Sequence, residues 1–284
     1  MFVAGEADFL CDGAALRNDN EVGVEPNGTC IGTLSLPPMP ITVEICIDSV
    51  DSAVAAEKGG AQRVELCSDL VEGGITPSAG LIATVRQKIQ IGLQVMIRPR
   101  GGDFHYSAEE FDIMRRDIRM AKQLGANGVV FGLLDIDGKV EVERTRELVE
   151  LARPLNVTYH RAFDMARDLD GSLEDVIRTG ADRILTSGAE VAAPDAVPTL
   201  KRLITAGGDR IIILVGGGMK PHNAPKVIAE TGAKEIHAGL RTTKEGPMRY
   251  RNEKLVMGTI PGLEYNRTVV LEKDVAALVK AVNS

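Results

Sequence analysis

The sequence predicts an α/β chain folded as a single (β/α)8 TIM barrel over residues 41–284. Three observations predict it. Eight short apolar runs, at 41–47, 62–67, 93–98, 128–132, 156–161, 183–186, 210–215 and 235–238, read as buried strands. Helix-like stretches separate them, starting near Ser49, Ser78, Ser107, Glu141, Ser172, Pro194 and Pro221, with a last one at 271–282. The dipeptide Gly-Ala recurs just before strands, at Gly60-Ala61, Gly125-Ala126, Gly180-Ala181 and Gly232-Ala233, where glycine can take the left-handed conformation that ends a helix. Alternating strands and helices require a parallel sheet with helical crossovers, and eight units in a chain of ~250 residues suit a closed barrel. A doubly wound open sheet is the alternative. Its Gly-rich dinucleotide fingerprint is missing after the first strand, and no nucleotide cofactor is expected.

The first unit is the most informative. Val43-Glu44-Ile45-Cys46 is echoed by Val64-Glu65-Leu66-Cys67, with an Ala-rich helix ending in Gly59-Gly60 between them. Side chains alternate along a strand, so Glu44 and Cys46 share one face, as do Glu65 and Cys67. Val43, Ile45, Ile47, Val64 and Leu66 occupy the opposite face and suit packing against helices. Later helix starts carry cap chemistry: Ser107 with Glu110 forms a capping box, and Ser172 with Asp175 comes close to one.

Composition narrows the function. The 284 residues carry 33 basic and 40 acidic side chains, a net charge of −7, with no Trp. Without a basic run or basic–aromatic block, nucleic-acid binding is not expected. No apolar stretch reaches the ~18–20 residues of a membrane span. Residues 1–40 lack periodicity, are rich in Gly, Asn, Asp and Glu, and end in Pro37-Pro38-Met39-Pro40. They read as a disordered leader and carry no secretory signal. Cys11 and Cys30 lie there as bystanders. Four cysteines in this length do not make a disulfide scaffold, so a reducing cytoplasm is the expected location, with the nucleus also open to it.

Chemistry in such barrels sits at the strand C-termini, and here those ends are polar. In order they give Glu44 and Cys46; Glu65, Cys67, Ser68 and Asp69; Arg98 and Arg100; Gly132 and Asp135; His160, Arg161 and Asp164; Thr186 and Ser187; Gly216-Gly217-Gly218; and His237 with Gly239. The strand N-termini offer nothing comparable on this reading.

These motifs resemble the copper homeostasis protein CutC family. The resemblance is carried by Val43–Cys46, Arg63-Val64-Glu65-Leu66-Cys67-Ser68-Asp69-Leu70, Glu72-Gly73-Gly74-Ile75-Thr76-Pro77-Ser78, Met96-Ile97-Arg98-Pro99-Arg100-Gly101-Gly102-Asp103-Phe104, Tyr159–Met165 and Leu185-Thr186-Ser187-Gly188. It implies a TIM barrel, cytosolic copper handling, and one Cu(I) per chain held by Cys46 and Cys67. Cu(I) is soft and prefers thiolates and thioethers. Two thiolates at ~2.3 Å from a metal lie roughly 4–5 Å apart. Inward residues of neighbouring strands belong to different layers, so the sulfurs are expected to be staggered. Met96 can add a thioether if it faces inward with Arg98. The alternative is that both cysteines are small core residues.

Copper does not require Glu44, Glu65, Arg98, His160 and Asp164, a set suited to an enzyme acting on a small anionic or phosphorylated metabolite. Arg98 and Arg161 can orient an anion, and Arg100, Gly217 and Gly218 are candidate anion contacts. The set can equally be a buried ion network filling the barrel top. One carboxylate is expected beside Arg98 and ionised, the second less well paired and the better proton donor or acceptor. The chain departs from the family's pattern at Gly239, where a serine is usual, which removes a hydroxyl from any anion site. The resemblance and the exposed barrel helices together favour a homo-oligomer, a dimer or tetramer.

Overall fold

The computed structural model describes residues 40–258 and 263–284. The leader expected at 1–40, with Cys11 and Cys30, lies outside the described residues except for Pro40. Eight strands, β1 (Thr42–Ile47), β2 (Arg63–Leu66), β3 (Gly92–Met96), β4 (Gly128–Phe131), β5 (Asn156–Tyr159), β6 (Arg183–Thr186), β7 (Ile212–Gly216) and β8 (Glu235–Ala238), pair in parallel in chain order, and β8 returns to β1. The predicted closed barrel is therefore the observed one, and the open sheet is excluded.

Helices α1 (Val50–Lys58), α2 (Ala79–Lys88), α3 (Ala108–Gln123), α4 (Val142–Ala152), α5 (Leu169–Thr179), α6 (Val197–Gly207), α7 (Ala224–Thr231) and α8 (Glu272–Val282) alternate with the strands. The Ser107–Glu110 capping box forms in full. Gly180, at φ 82°, ends α5 in the left-handed conformation expected of it. The helices close against strand faces whose side chains are fully buried, among them Val43, Ile45, Val64, Leu66, Leu93, Val129 and Val157. Such burial supplies most of the folding free energy, at about 25 cal/mol per Å2 of apolar surface.

Three helix starts differ from expectation. Asp168 caps α5, accepting from the Asp170 N–H, and Ser172 is buried inside the helix. Pro194 sits in a separate 3-10 turn at Ala193–Asp195 before α6. α7 begins at Ala224 after Asn223, three residues beyond Pro221. An antiparallel pair, β9 (Arg241–Glu245) and β10 (Asn266–Val270), follows the barrel before α8. No helix among the described residues is long and apolar enough to cross a membrane.

Candidate functional site

The inner faces of the strands are charged over much of their length. Arg63 on β2 reaches past β1 to pair with Glu235 on β8, and also bonds Glu44 on β1 through Nε at 2.5 Å. Arg183 on β6 reaches past β7 to the same Glu235 carboxylate at 2.9 Å. Bonds between strands that are not neighbours must cross the barrel interior. This chain of charges begins at the strand N-termini, which corrects the expectation that those ends carry nothing comparable to the mouth.

Glu44 links this network to the upper layer. Its Oε1 lies 2.7 Å from His237 Nδ1, while His237 Nε2 lies 3.8 Å from Glu65 Oε2. Glu65 Oε2 in turn accepts from the Cys67 thiol at 3.6 Å. Cys46 stands level with Glu65 in the β1–β2 register, and Cys67 one inward position beyond. Donor atoms of Cys46, Glu65 and Cys67 all lie within 4.8 Å of one another, as do those of Glu44, Glu65 and His237. The staggered sulfurs are thus close enough for one soft cation to touch both. Both cysteines are free thiols.

Electrostatics divide these groups. Burial opposes ionisation of Glu44, but the Arg63 guanidinium and His237 more than offset it and hold the carboxyl at about 2. Burial, together with the nearby Cys46 and Glu44, pushes Glu65 well above the usual carboxyl range. A hydrogen bond from Cys67 draws Cys46 well below the usual thiol value despite burial. That same bond, with burial, raises Cys67. Burial alone would discharge His237, yet Glu65, Cys46 and Glu44 around its ring raise it well above the usual imidazole range. Of the two thiols, Cys46 is the more readily ionised and Cys67 the less.

Above Cys46 opens a cavity of about 430 Å3 whose walls include Cys46, Glu65, Met96, Arg98, His160 and His237. Met96 shares the inward face, packed with Cys67 and Val130. Arg98 spends its terminal nitrogens on backbone: Nη1 donates to Glu72 O at 2.7 Å and Gly74 O at 3.0 Å, and Nη2 to Gly102 O at 2.8 Å. It thereby clamps the β2 and β3 loops together. Gly74, at φ 96°, lets the first of these loops lie on Cys67; a Cβ there would sit 3.0 Å from the sulfur. His160 packs where Gly132 leaves space, since a Cβ on Gly132 would stand 2.6 Å from its Nδ1. Burial first, then Arg98, lowers His160 to about 3, so its ring is neutral.

The sequence-predicted residues therefore separate. Cys46, Glu65, Arg98, His160, Gly217 and Gly218 line one cavity, joined by Arg161. Cys67 is sealed behind Cys46 with no exposure. Glu44 lies deeper and pairs with Arg63, and Arg98 forms no ion pair with the carboxylate expected beside it, its terminal nitrogens being bonded to backbone. Asp164 turns aside to Arg161 Nε at 2.6 Å, Thr186 Oγ1 and the Ser187 and Ala189 N–H groups, fastening the β5 and β6 loops. Arg100 points to Glu110 at 2.6 Å and to Asp103, outside the cavity walls. Sequence reasoning missed Arg63, Arg183 and Glu235 and gave His237 no role. Parity was an available signal, because Arg63 shares the face of Glu65 and Glu235 that of His237.

The profile of the CutC family matches residues 41–242. A human protein named copper homeostasis protein cutC homolog is 48% identical over 216 residues, covering 76% of this chain and 79% of the human one. A CutC family protein of Chromobacterium violaceum is 46% identical over 241 residues, covering 85% and 98% of the two chains. Among solved structures, a Streptococcus agalactiae protein provisionally named copper homeostasis protein CutC superposes with a TM-score of 0.66 at 34% identity, over 69% of this chain and 97% of the other.

Proposed function

This chain belongs to the CutC family of copper homeostasis proteins, and from that membership we propose that it binds one Cu(I) between Cys46 and Cys67 at the barrel mouth. The observation that carries the proposal is the approach of both thiols and the Glu65 carboxyl to within 4.8 Å of one another. Soft sulfur donors favour Cu(I) over harder divalent ions. The buried thioether of Met96 beside Cys67 suits the same cation. Cys46, the more readily ionised of the two thiols, faces the cavity from which the ion enters, and the loop carrying Gly74 lies over Cys67. Free thiols fit a reducing cytoplasm. Anaerobic titration of the reduced protein with Cu(I), in competition with a chromogenic chelator, should give about one ion per chain, undiminished in Cys11→Ser and Cys30→Ser. A stoichiometry near zero removes the reading.

A second reading, an enzyme acting on a small anionic metabolite, is favoured by a separate observation. Glu65, Arg98 and His160 line the same cavity, a mixed carboxyl, guanidinium and imidazole set that a copper site does not require. In that reading Arg98 and His160 hold the anion and Glu65 exchanges a proton, while Glu44 and Asp164 position their neighbours. Assembly into a homo-oligomer belongs to the same proposal. Its support is the exposed apolar side chains of Met248, Tyr250, Val256 and Met257 after β9, which a second copy can cover. Light scattering should return a mass above one chain, and Met257→Glu with Val256→Glu should lower it.

A further inference from the structure

We infer that the cavity above Cys46 binds a small phosphate monoester, its phosphate cradled beside the ends of β7 and β8 by Arg161, Arg241 and the Gly217-Gly218 backbone. This rests on the anionic-metabolite reading for the cavity and goes further by naming the charged group and the residues that hold it.

The cradle starts from bare backbone. Gly217 and Gly218, at φ 97° and 70°, follow β7 in conformations that glycine adopts freely. Their carbonyls are engaged: Gly217 O accepts from the Ala193 N–H at 2.9 Å, and Gly218 O from Asn223 Nδ2 at 3.0 Å. Their N–H groups donate to nothing among the described residues. In a trans peptide C=O and N–H point in opposite directions, so the Gly218 N–H faces away from Ala193. Both glycines line the cavity, and Gly218 is exposed. Successive free N–H groups form an anion-binding concavity, and barrels frequently bind phosphate at the loops after strands 7 and 8.

Two guanidiniums flank this turn. Arg161, just after β5, gives Nε to Asp164 and Nη2 to Ser187 Oγ, each at 2.6 Å, and leaves Nη1 uncommitted. Ser187 packs against the turn, since a Cβ on Gly217 would stand 2.9 Å from its Cβ. Arg241 opens β9 on the other side. Gly216 pairs with His237 in the β7–β8 register, so Gly239 emerges beside Gly217-Gly218. Arg241 Nε lies 3.8 Å from where a Cβ on Gly239 would sit. A guanidinium thus stands where a serine at 239 would bring only a hydroxyl. Arg241 is exposed and makes no ion pair among the described residues; its one hydrogen bond runs from Nη1 to Leu70 O at 3.4 Å. Asp48 is near enough to feel its charge, but beyond ion-pair distance.

The chemistry of the ligand follows. Asp164 and Glu44 answer two of the cationic groups on this wall, Arg161 and His237, while Arg241 is left unanswered. Donors approach from the ends of β5, β7 and β8. Three directions suit a tetrahedral group with three free oxygens better than a flat carboxylate with two, and arginine pairs with phosphate through parallel N–H groups. The cavity, about 430 Å3, lies in the range of small-molecule sites. Phe104, Leu185 and Val191 wall the space for the carbon skeleton, which reaches toward Arg98 and His160.

The test titrates the metal-free, reduced full chain calorimetrically with glycerol 3-phosphate and ribose 5-phosphate, and separately with inorganic phosphate and succinate. At least one ester should bind saturably at one site per chain, and more tightly than inorganic phosphate, because the cavity takes up the rest of the molecule. Arg241→Met removes an exposed side chain without an ion pair, so the fold should persist and ester binding should weaken by about tenfold or more. Arg161→Met should weaken it similarly; because Arg161 also ties the β5 and β6 loops, the Arg241→Met result carries the comparison if Arg161→Met fails to fold. Arg251→Met removes an arginine that pairs with Glu245 outside the cavity walls and should leave binding unchanged; an equal loss there marks general charge attraction and overturns the inference. Undiminished ester binding in Arg241→Met overturns it, as does inorganic phosphate bound as tightly as both esters. Succinate bound with both esters excluded overturns it while leaving the anionic-metabolite reading intact. No binding of any of the four overturns both.

Discussion

Cu(I) affinity of the reduced protein should collapse when either Cys46 or Cys67 becomes serine. A serine hydroxyl stays protonated at neutral pH and offers a hard, weak donor in place of a soft thiolate. The remaining close donors, the Glu65 carboxyl and the neutral Met96 thioether, do not replace a lost thiolate. The loss should therefore exceed the roughly 10–100-fold that follows removal of a residue supporting a metal ligand. Glu65→Gln gives the contrast. It replaces one oxygen donor with another and leaves both sulfurs in place, so the loss should be far smaller. Competition titrations on the three variants, with circular dichroism to confirm folding, make the comparison. An unchanged affinity in the Cys46→Ser, Cys67→Ser double variant would refute the copper site.

Arg63→Met should produce the largest loss of stability of any single change in the barrel interior. The guanidinium is held between Glu44 and Glu235, and all three side chains are nearly excluded from solvent. Methionine fills comparable volume but leaves Glu44 with only His237, and Glu235 with only Arg183, in place of the shared guanidinium. Removing one partner from a buried ion pair costs about 3–5 kcal/mol, a large share of the ~5–15 kcal/mol that holds a domain folded. Adding Glu44→Gln and Glu235→Gln to Arg63→Met should restore part of the loss, because neutral amides no longer demand the charge. Urea denaturation midpoints decide it: a shift worth under ~1 kcal/mol for Arg63→Met would mean that water, not Arg63, neutralises the pair. The effect should extend to the thiols. Glu44 holds His237, and His237 faces Cys46, so a disturbed Arg63 should also raise the Cys46 pKa, readable as slower alkylation at neutral pH.

Much of the barrel was legible because its signals are local. The apolar runs fell on the observed strands to within a few residues, and the Gly-Ala endings and the Ser107–Glu110 box formed as expected. Local signals also misled where two competed. Ser172 with Asp175 resembles a capping box, but Asp168 stands earlier and caps the same helix, and Ser172 is drawn into the buried face. β9 was invisible because Arg241-Thr242-Thr243-Lys244-Glu245 is exposed throughout and has no apolar alternation to reveal it.

The sequence by itself determined the strand–helix order, the family, and which side chains share an inward face. Those properties follow from backbone periodicity and short-range caps, which any stretch of chain carries with it. Only the tertiary structure decided which inward residues meet. One carboxylate was expected beside Arg98; Glu44 is instead paired with Arg63, while Glu235, 172 positions further along the chain from Arg63, completes that network from across the barrel. Asp164 and Arg100 lie near the mouth in sequence order but spend their charges on loops. Barrel closure brings β8 against β1 and fixes the stagger between layers, and at separations of a few ångströms in a low-dielectric interior that stagger selects each charge's partner. Periodicity assigns a residue to a face; the closure of the barrel assigns it a neighbour.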